Sequence, residues 1–187
     1  MNKIISRISL FSVLCSLFSA IAGCGYTTRS HVGRKYRTIY ITPFVNKIDI
    51  TTATNAANKY KLYRPMIETD ITRSVNNRYL FDGNLRPLKQ ESADLILKGE
   101  VLDFRRDPLR YDSSDSVTEY RINLVVNISL WDRVENKLIW QENNFTGDTT
   151  YFTTSSGNPQ KKEEDAAVTD ALTDLSRRIV ERTVEQW

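Results

Sequence analysis

Between residues 116 and 132 the chain reads SVTEYRINLVVNISLWD, with Tyr120, Ile122, Leu124, Val126, Ile128 and Leu130 two apart. That repeat puts all six on one face of a strand, while Arg121, Asn123, Asn127 and Ser129 take the other. RVEN then turns the chain into KLIWQENNFTGDTTYF, so a long hairpin is predicted. Upstream, DLILKGEVLDF places Leu95, Leu97 and Val101 on one face of another strand. YRTIYITPF alternates Ile39 and Ile41 against Tyr36, Thr38, Tyr40 and Thr42, and Pro43 closes it. LRPLKQ is a candidate short strand, and VNKIDITTATNAANK a long Thr/Asn/Ala-rich loop.

Two segments change period. Ile67, Ile71 and Val75 recur at four-residue steps, with Tyr63 and Tyr79 extending the stripe and Pro65 suited to a first turn. The Asp-Gly and Asn content of NNRYLFDGN ends that helix. From about Pro159 to Gln186, Val168, Leu172, Leu175, Ile179 and Thr183 form a second stripe, with Glu163, Glu164 and Asp165 in its first turns. The fold class expected is α+β: a two-layer sandwich of a mostly antiparallel sheet, about four to five strands, with both amphipathic helices on one face.

The N-terminus follows another logic. Lys3 and Arg7 precede an uncharged apolar run, and Ala22 and Gly23 precede Cys24. That layout is a secretory signal and too short for a good membrane span. A retained signal anchor is the competing reading, disfavoured by the small residues at the end of the run. Ile-Ala-Gly-Cys also looks like a bacterial lipobox, in which the Cys24 thiol is alkylated by diacylglycerol before cleavage. Residues 1–23 are then signal, 24–35 a lipidated tether and 36–187 one α+β domain. Cys15 leaves with the signal, so neither a disulfide, a metal site nor a catalytic thiol remains. Several acyl chains hold such a protein stably in a membrane. Gly25, where Asp would signal inner-membrane retention, favours the outer membrane, periplasmic face.

Charge and chemistry narrow the function further. The chain has 26 Lys and Arg against 23 Asp and Glu, and the excess shrinks to one without Lys3 and Arg7. Nothing in the exported part supports nucleic-acid binding. The one histidine, His31, falls in the tether, so neither a Ser-His-Asp set nor a His metal site can be assembled. No cofactor motif appears. Glu100, Asp103 and Glu119 are the carboxylates to consider for glycan cleavage. Acidic residues on strands are far more often solvated or salt-bridged, so the expectation is a protein that is not an enzyme. Trp131, Trp140, Phe145, Tyr151 and Phe152 mark the hairpin ends, Trp140 as a core residue. FRRDPLRYDSSDS reads as a connection carrying Arg105, Arg106 and Arg110, whose forks suit bidentate phosphate binding.

CGYTTRS, ADLILKGEVLDFRRD, TEYRINLVVNISLWD, GNPQ and the closing amphipathic helix, in that order, resemble the LptE family of lipopolysaccharide-assembly lipoproteins. The resemblance spans essentially the whole mature chain. It implies a lipoprotein seated inside a wide outer-membrane β-barrel partner, LptD, as plug, assembly partner and contact for lipopolysaccharide. It also implies lipopolysaccharide-binding candidates at Arg110, with Arg106 as substitute if the alignment shifts, and at Lys161 or Lys162. A structural or secretion-system lipoprotein with another partner is the alternative.

Overall fold

The computed structural model describes residues 35–49, 64–153 and 164–185. Its elements are β1 (Thr38–Ile41), β2 (Val45–Asn46), α1 (Ile67–Asp82), β3 (Arg86–Pro87), a 3₁₀ turn (Gln90–Ser92), β4 (Leu95–Tyr111), β5 (Val117–Asp132), β6 (Lys137–Phe152) and α2 (Glu164–Glu185). Cys24, Lys161 and Lys162 lie outside the described residues, as do His31, Tyr63 and Glu163.

The sheet has six strands, in the order β3-β1-β4-β5-β6 with β2 also on β4. That is one more than the upper expectation, because β2 and β3 are dipeptides, too short for alternation to show. β4, β5 and β6 form the antiparallel body, whereas β1 runs parallel to both of its neighbours. Helix α1 supplies the long crossover that the parallel pair β1–β3 needs.

Alternation sets the faces as expected. Ile39, Ile41, Leu95, Leu97, Val101, Ile122, Leu124, Val126, Ile128 and Leu130 are all buried, and they meet one core with both helices. α1 contributes Ile67, Ile71, Val75 and Tyr79; α2 contributes Val168, Leu172, Leu175 and Ile179. Both helices therefore cover the same face, and Trp140 joins that core. α1 continues through Asp82, three residues past Tyr79, and ends on Gly83 at φ 76°, whose N–H donates to the Tyr79 carbonyl at 3.0 Å. Glycine takes that left-handed position without the Cβ penalty.

The segment 104–116 differs most from its reading as a connection. β4 runs unbroken through it to Tyr111, paired with β5 as far as Tyr111↔Val117. Irregularities between Val101 and Asp103, and again between Pro108 and Arg110, absorb the broken alternation. Arg105, Arg106 and Arg110 are consequently strand residues, and which way each is held follows from the ladder.

Helices α1 and α2 run side by side in the same direction, tied by hydroxyl groups. Ser74 Oγ lies 3.1 Å from Ser176 Oγ and 3.2 Å from the Leu172 carbonyl. Deeper in the core, the Tyr79 hydroxyl donates to Thr183 Oγ1 at 2.7 Å, and Thr183 donates to the Ile179 carbonyl at 2.8 Å. Helix α2 also guards the outer edge of the sheet. Asp174 accepts the Asp148 N–H at 3.2 Å, Arg178 pairs with Asp148 at 3.2 Å, and Arg182 donates to Glu142 at 2.7 Å. An edge blocked by charged side chains is a poor template for a foreign strand.

Candidate functional site

Three arginines on the last turns of β4 meet three different fates. Arg105 is held between Asp103 at 3.6 Å and Asp107 at 3.0 Å on its own strand. Arg106 lies opposite Ile122 on the helix-covered side, beneath the first turn of α2. There its Nη1 contacts Glu164 Oε2 and reaches the Tyr151 hydroxyl at 3.5 Å. Tyr151 in turn donates to Glu164 at 3.0 Å, and the guanidinium sits 4.7 Å from the centre of the Tyr120 ring. Tyr120 and Tyr151 stack with centroids 5.8 Å apart. Burial, more than the Glu164 carboxylate, raises the Tyr151 hydroxyl above its ordinary range, so it remains a hydrogen donor. The cluster fastens the start of α2 to the sheet.

Arg110 is different. Its side chain is 67% exposed, and its one ion pair among the described residues is a 3.5 Å approach to Glu119. Exposed Leu109 and Tyr111 flank it, and exposed Phe152 pairs across the ladder with Glu119. A lightly held guanidinium at a strand end that also exposes three apolar side chains matches a ligand with both phosphate and hydrocarbon. The adjoining turn is closed by Asp112, which accepts the N–H groups of Ser114 at 2.8 Å and Ser116 at 3.0 Å. The Ser114 hydroxyl is the largest influence holding the Asp112 carboxyl below its usual range.

The sheet face away from the helices carries a shallow groove of about 390 Å³ lined by Thr42, Lys98, Glu100, Asn127, Ser129 and Gln141. Lys98 stands 4.6 Å from the Trp131 ring centre, and the indole N–H donates to Ser129 Oγ at 3.1 Å. Glu100 lines this groove, whereas Glu119 pairs with Arg110 ten positions along β4. At about 3.3 Å per residue, that separation is several times what a glycosidase carboxylate pair spans. The structure therefore does not bring Glu119 together with Glu100. Sequence reasoning passed over Lys98, which lies on the polar side of an apolar-looking strand.

The model of the LptE lipopolysaccharide-assembly family matches residues 36–183. The chain belongs to the LptE family. That span holds every described element from β1 to all but the last residues of α2. No curated protein matches the sequence of this LptE-family chain. Among solved structures, one is a protein of Xanthomonas campestris, 14% identical with a TM-score of 0.51, covering 80% of this chain and 84% of that one. A hypothetical protein of Chlamydia trachomatis is 14% identical with a TM-score of 0.50, over 79% of this chain and 95% of that one. The rare lipoprotein B of Shewanella oneidensis is 13% identical with a TM-score of 0.45, over 78% and 94%. At such identities the first two show a shared fold.

Proposed function

We propose that this LptE-family chain is an outer-membrane lipoprotein, anchored through Cys24, that plugs a β-barrel partner of the LptD kind and assists its assembly for lipopolysaccharide export. The family match over residues 36–183 carries the reading. In it the protein makes and breaks no bond; it fits, blocks and holds. The sheet face away from the helices supports the role, because Lys98, Glu100, Asn127, Ser129 and Gln141 suit a wet, polar lumen. Among the described residues no helix is long and apolar enough to cross a membrane.

Within that role, Arg110 is the described residue best suited to engage a phosphate of lipopolysaccharide, with Leu109 and Tyr111 against its hydrocarbon. Arg106 is the weaker candidate, since an anion reaching it competes with Glu164. Lys161 and Lys162 remain candidates on the approach to α2. The test is co-purification from native membranes in mild detergent. A large β-barrel protein should be retained, and depletion of the chain should lower surface lipopolysaccharide. Retention of no barrel, with surface lipopolysaccharide unchanged, would refute the reading.

A further inference from the structure

The end of the domain at which the tether enters differs in composition from the Arg110 end. Strand pairing brings together there the start of β1, the start of β3 and the β5–β6 turn, through Thr38↔Arg86, Ile39↔Leu95, Leu95↔Asp132 and Asp132↔Lys137.

 The register Leu95↔Asp132 closes that set, and Lys35 reaches across it to Glu135 at 3.4 Å. Helix α1 ends at the same place, at Asp82, four positions before β3 begins at Arg86.

Apolar side chains are exposed at this end, and the Arg78 guanidinium sits 5.4 Å from the centre of the Phe81 ring. Phe81 is 82% exposed, Val134 74% and Leu80 63%, although each lies beside a well-packed element. Around them are the exposed cations Lys35, Arg37, Arg86, Lys89, Arg133 and Lys137, against two exposed carboxylates, Glu91 and Glu135. The other three carboxylates here are engaged by neighbouring groups. Asp132 accepts from Tyr36 and the Val134 and Glu135 N–H groups, Asp94 from the Arg37 and Thr38 N–H groups, and Asp82 from Asn84. At the opposite end, the β4–β5 turn instead carries Asp112 and Asp115.

We propose that this tether-side end docks directly on an anionic phospholipid surface, with Phe81, Leu80 and Val134 entering the interface and the surrounding cations meeting phosphates. The inference rests on the reading of Cys24 as the anchor, because the tether supplies the geometry. Lys35 is eleven positions after Cys24. Such a tether spans at most about 40 Å when extended and averages roughly 20 Å when flexible. The domain is thus confined near the bilayer, where weak contacts suffice. Aromatic and aliphatic side chains beside Lys and Arg are the combination an anionic interface selects.

The test separates docking from anchoring by using the full mature chain with Cys24→Ser, sedimented with phosphatidylglycerol or phosphatidylcholine vesicles. Docking predicts at least roughly five-fold more binding to phosphatidylglycerol, from the attraction of even one extra surface cation. That preference should fall at about 0.5 M salt. Phe81→Ser with Val134→Ser, and separately Lys89→Glu with Lys137→Glu, should each lower binding at least five-fold with an unchanged melting temperature. Arg110→Gln should not lower it. Equal binding to both vesicles, no binding to either, or an equal loss from Arg110→Gln overturns the proposal. So does a result in which the Phe81 and Val134 pair is needed for a detergent-solubilised barrel partner and not for vesicles. Release of the unsubstituted chain from native membranes would refute the anchor alone, and the vesicle result would still decide docking.

Discussion

Gly147 on β6 lies directly beneath Leu175 of α2: a Cβ added to the glycine would stand 2.4 Å from the Leu175 Cβ and 2.6 Å from its Cα. Real Cβ contacts are never that short, and here part of the obstacle is backbone. Helix α2 therefore rests on the sheet only because residue 147 has no side chain. Gly147→Ala must lift α2 or bend β6, and the expected cost is about 1–3 kcal/mol, the range for overpacking. Thermal or urea unfolding measures it. An unchanged midpoint would mean that α2 is not seated as described. Gly99 plays a similar part under Phe44, where an added Cβ would meet the ring at 2.2 Å, but a ring can swing and a helix backbone cannot.

The Tyr79–Thr183 hydrogen bond is fully buried between the helices. Burial pushes the Tyr79 hydroxyl well above its ordinary range, so it stays a phenol and keeps donating. Tyr79→Phe removes one bond while Thr183 retains its own to Ile179. The expected loss is about 1 kcal/mol. Urea midpoints of the two proteins, at an unchanged slope, are the measurement.

Arg106 and Arg110 should separate when each is changed to Gln. Arg106→Gln breaks a half-exposed pair with Glu164 and the contact over Tyr120, so stability should drop by about 1 kcal/mol. Arg110→Gln, at an exposed site, should stay within about 0.5 kcal/mol of the parent, yet weaken binding of lipopolysaccharide. Melting curves read beside binding to immobilised lipopolysaccharide give the comparison. A loss of stability on Arg110→Gln as large as its loss of binding would count against a direct contact.

Acid should unfold the protein through three carboxylates. For Asp94, Asp132 and Asp174, burial alone would raise the pKa. Hydrogen bonds outweigh it and leave all three below the ordinary value: the Arg37 and Thr38 N–H groups at Asp94, the Glu135 and Val134 N–H groups with Tyr36 at Asp132, and Arg177 with the Asp148 N–H at Asp174. A group depressed in the folded state binds its proton more readily once unfolded. Its contribution is present in full above the unfolded pKa, about 3.9, and disappears as pH falls through the lower folded value. Unfolding free energy should be level from neutral pH to about 5 and decline below about 4. Asp132→Asn should flatten that decline, and urea titrations from acid to neutral pH would show whether it does.

The sequence by itself determined which residues face the core. Alternation in β5 and the four-residue steps of α1 and α2 are properties of the local chain. Burying an apolar stripe admits one period for a strand and another for a helix. A turn after α1 was legible in the Asp-Gly content of NNRYLFDGN, although Asn76 to Asp82 of that stretch are helical and the end falls on Gly83. The family resemblance was legible as well, in the order of those elements.

Only the tertiary structure decided what the charged stretch of β4 does. Arg105, Arg106, Pro108 and Arg110 have no strand signature of their own, and it is the long register with β5 that makes them a strand. That register also divides the arginines, sending Arg106 under α2 and leaving Arg110 at the open end. The parallel course of β1 was equally hidden, because a strand's pattern records which side is buried and carries nothing about its neighbours. Pairing is chosen by contacts distant in sequence, whose worth depends on the whole assembly of the core.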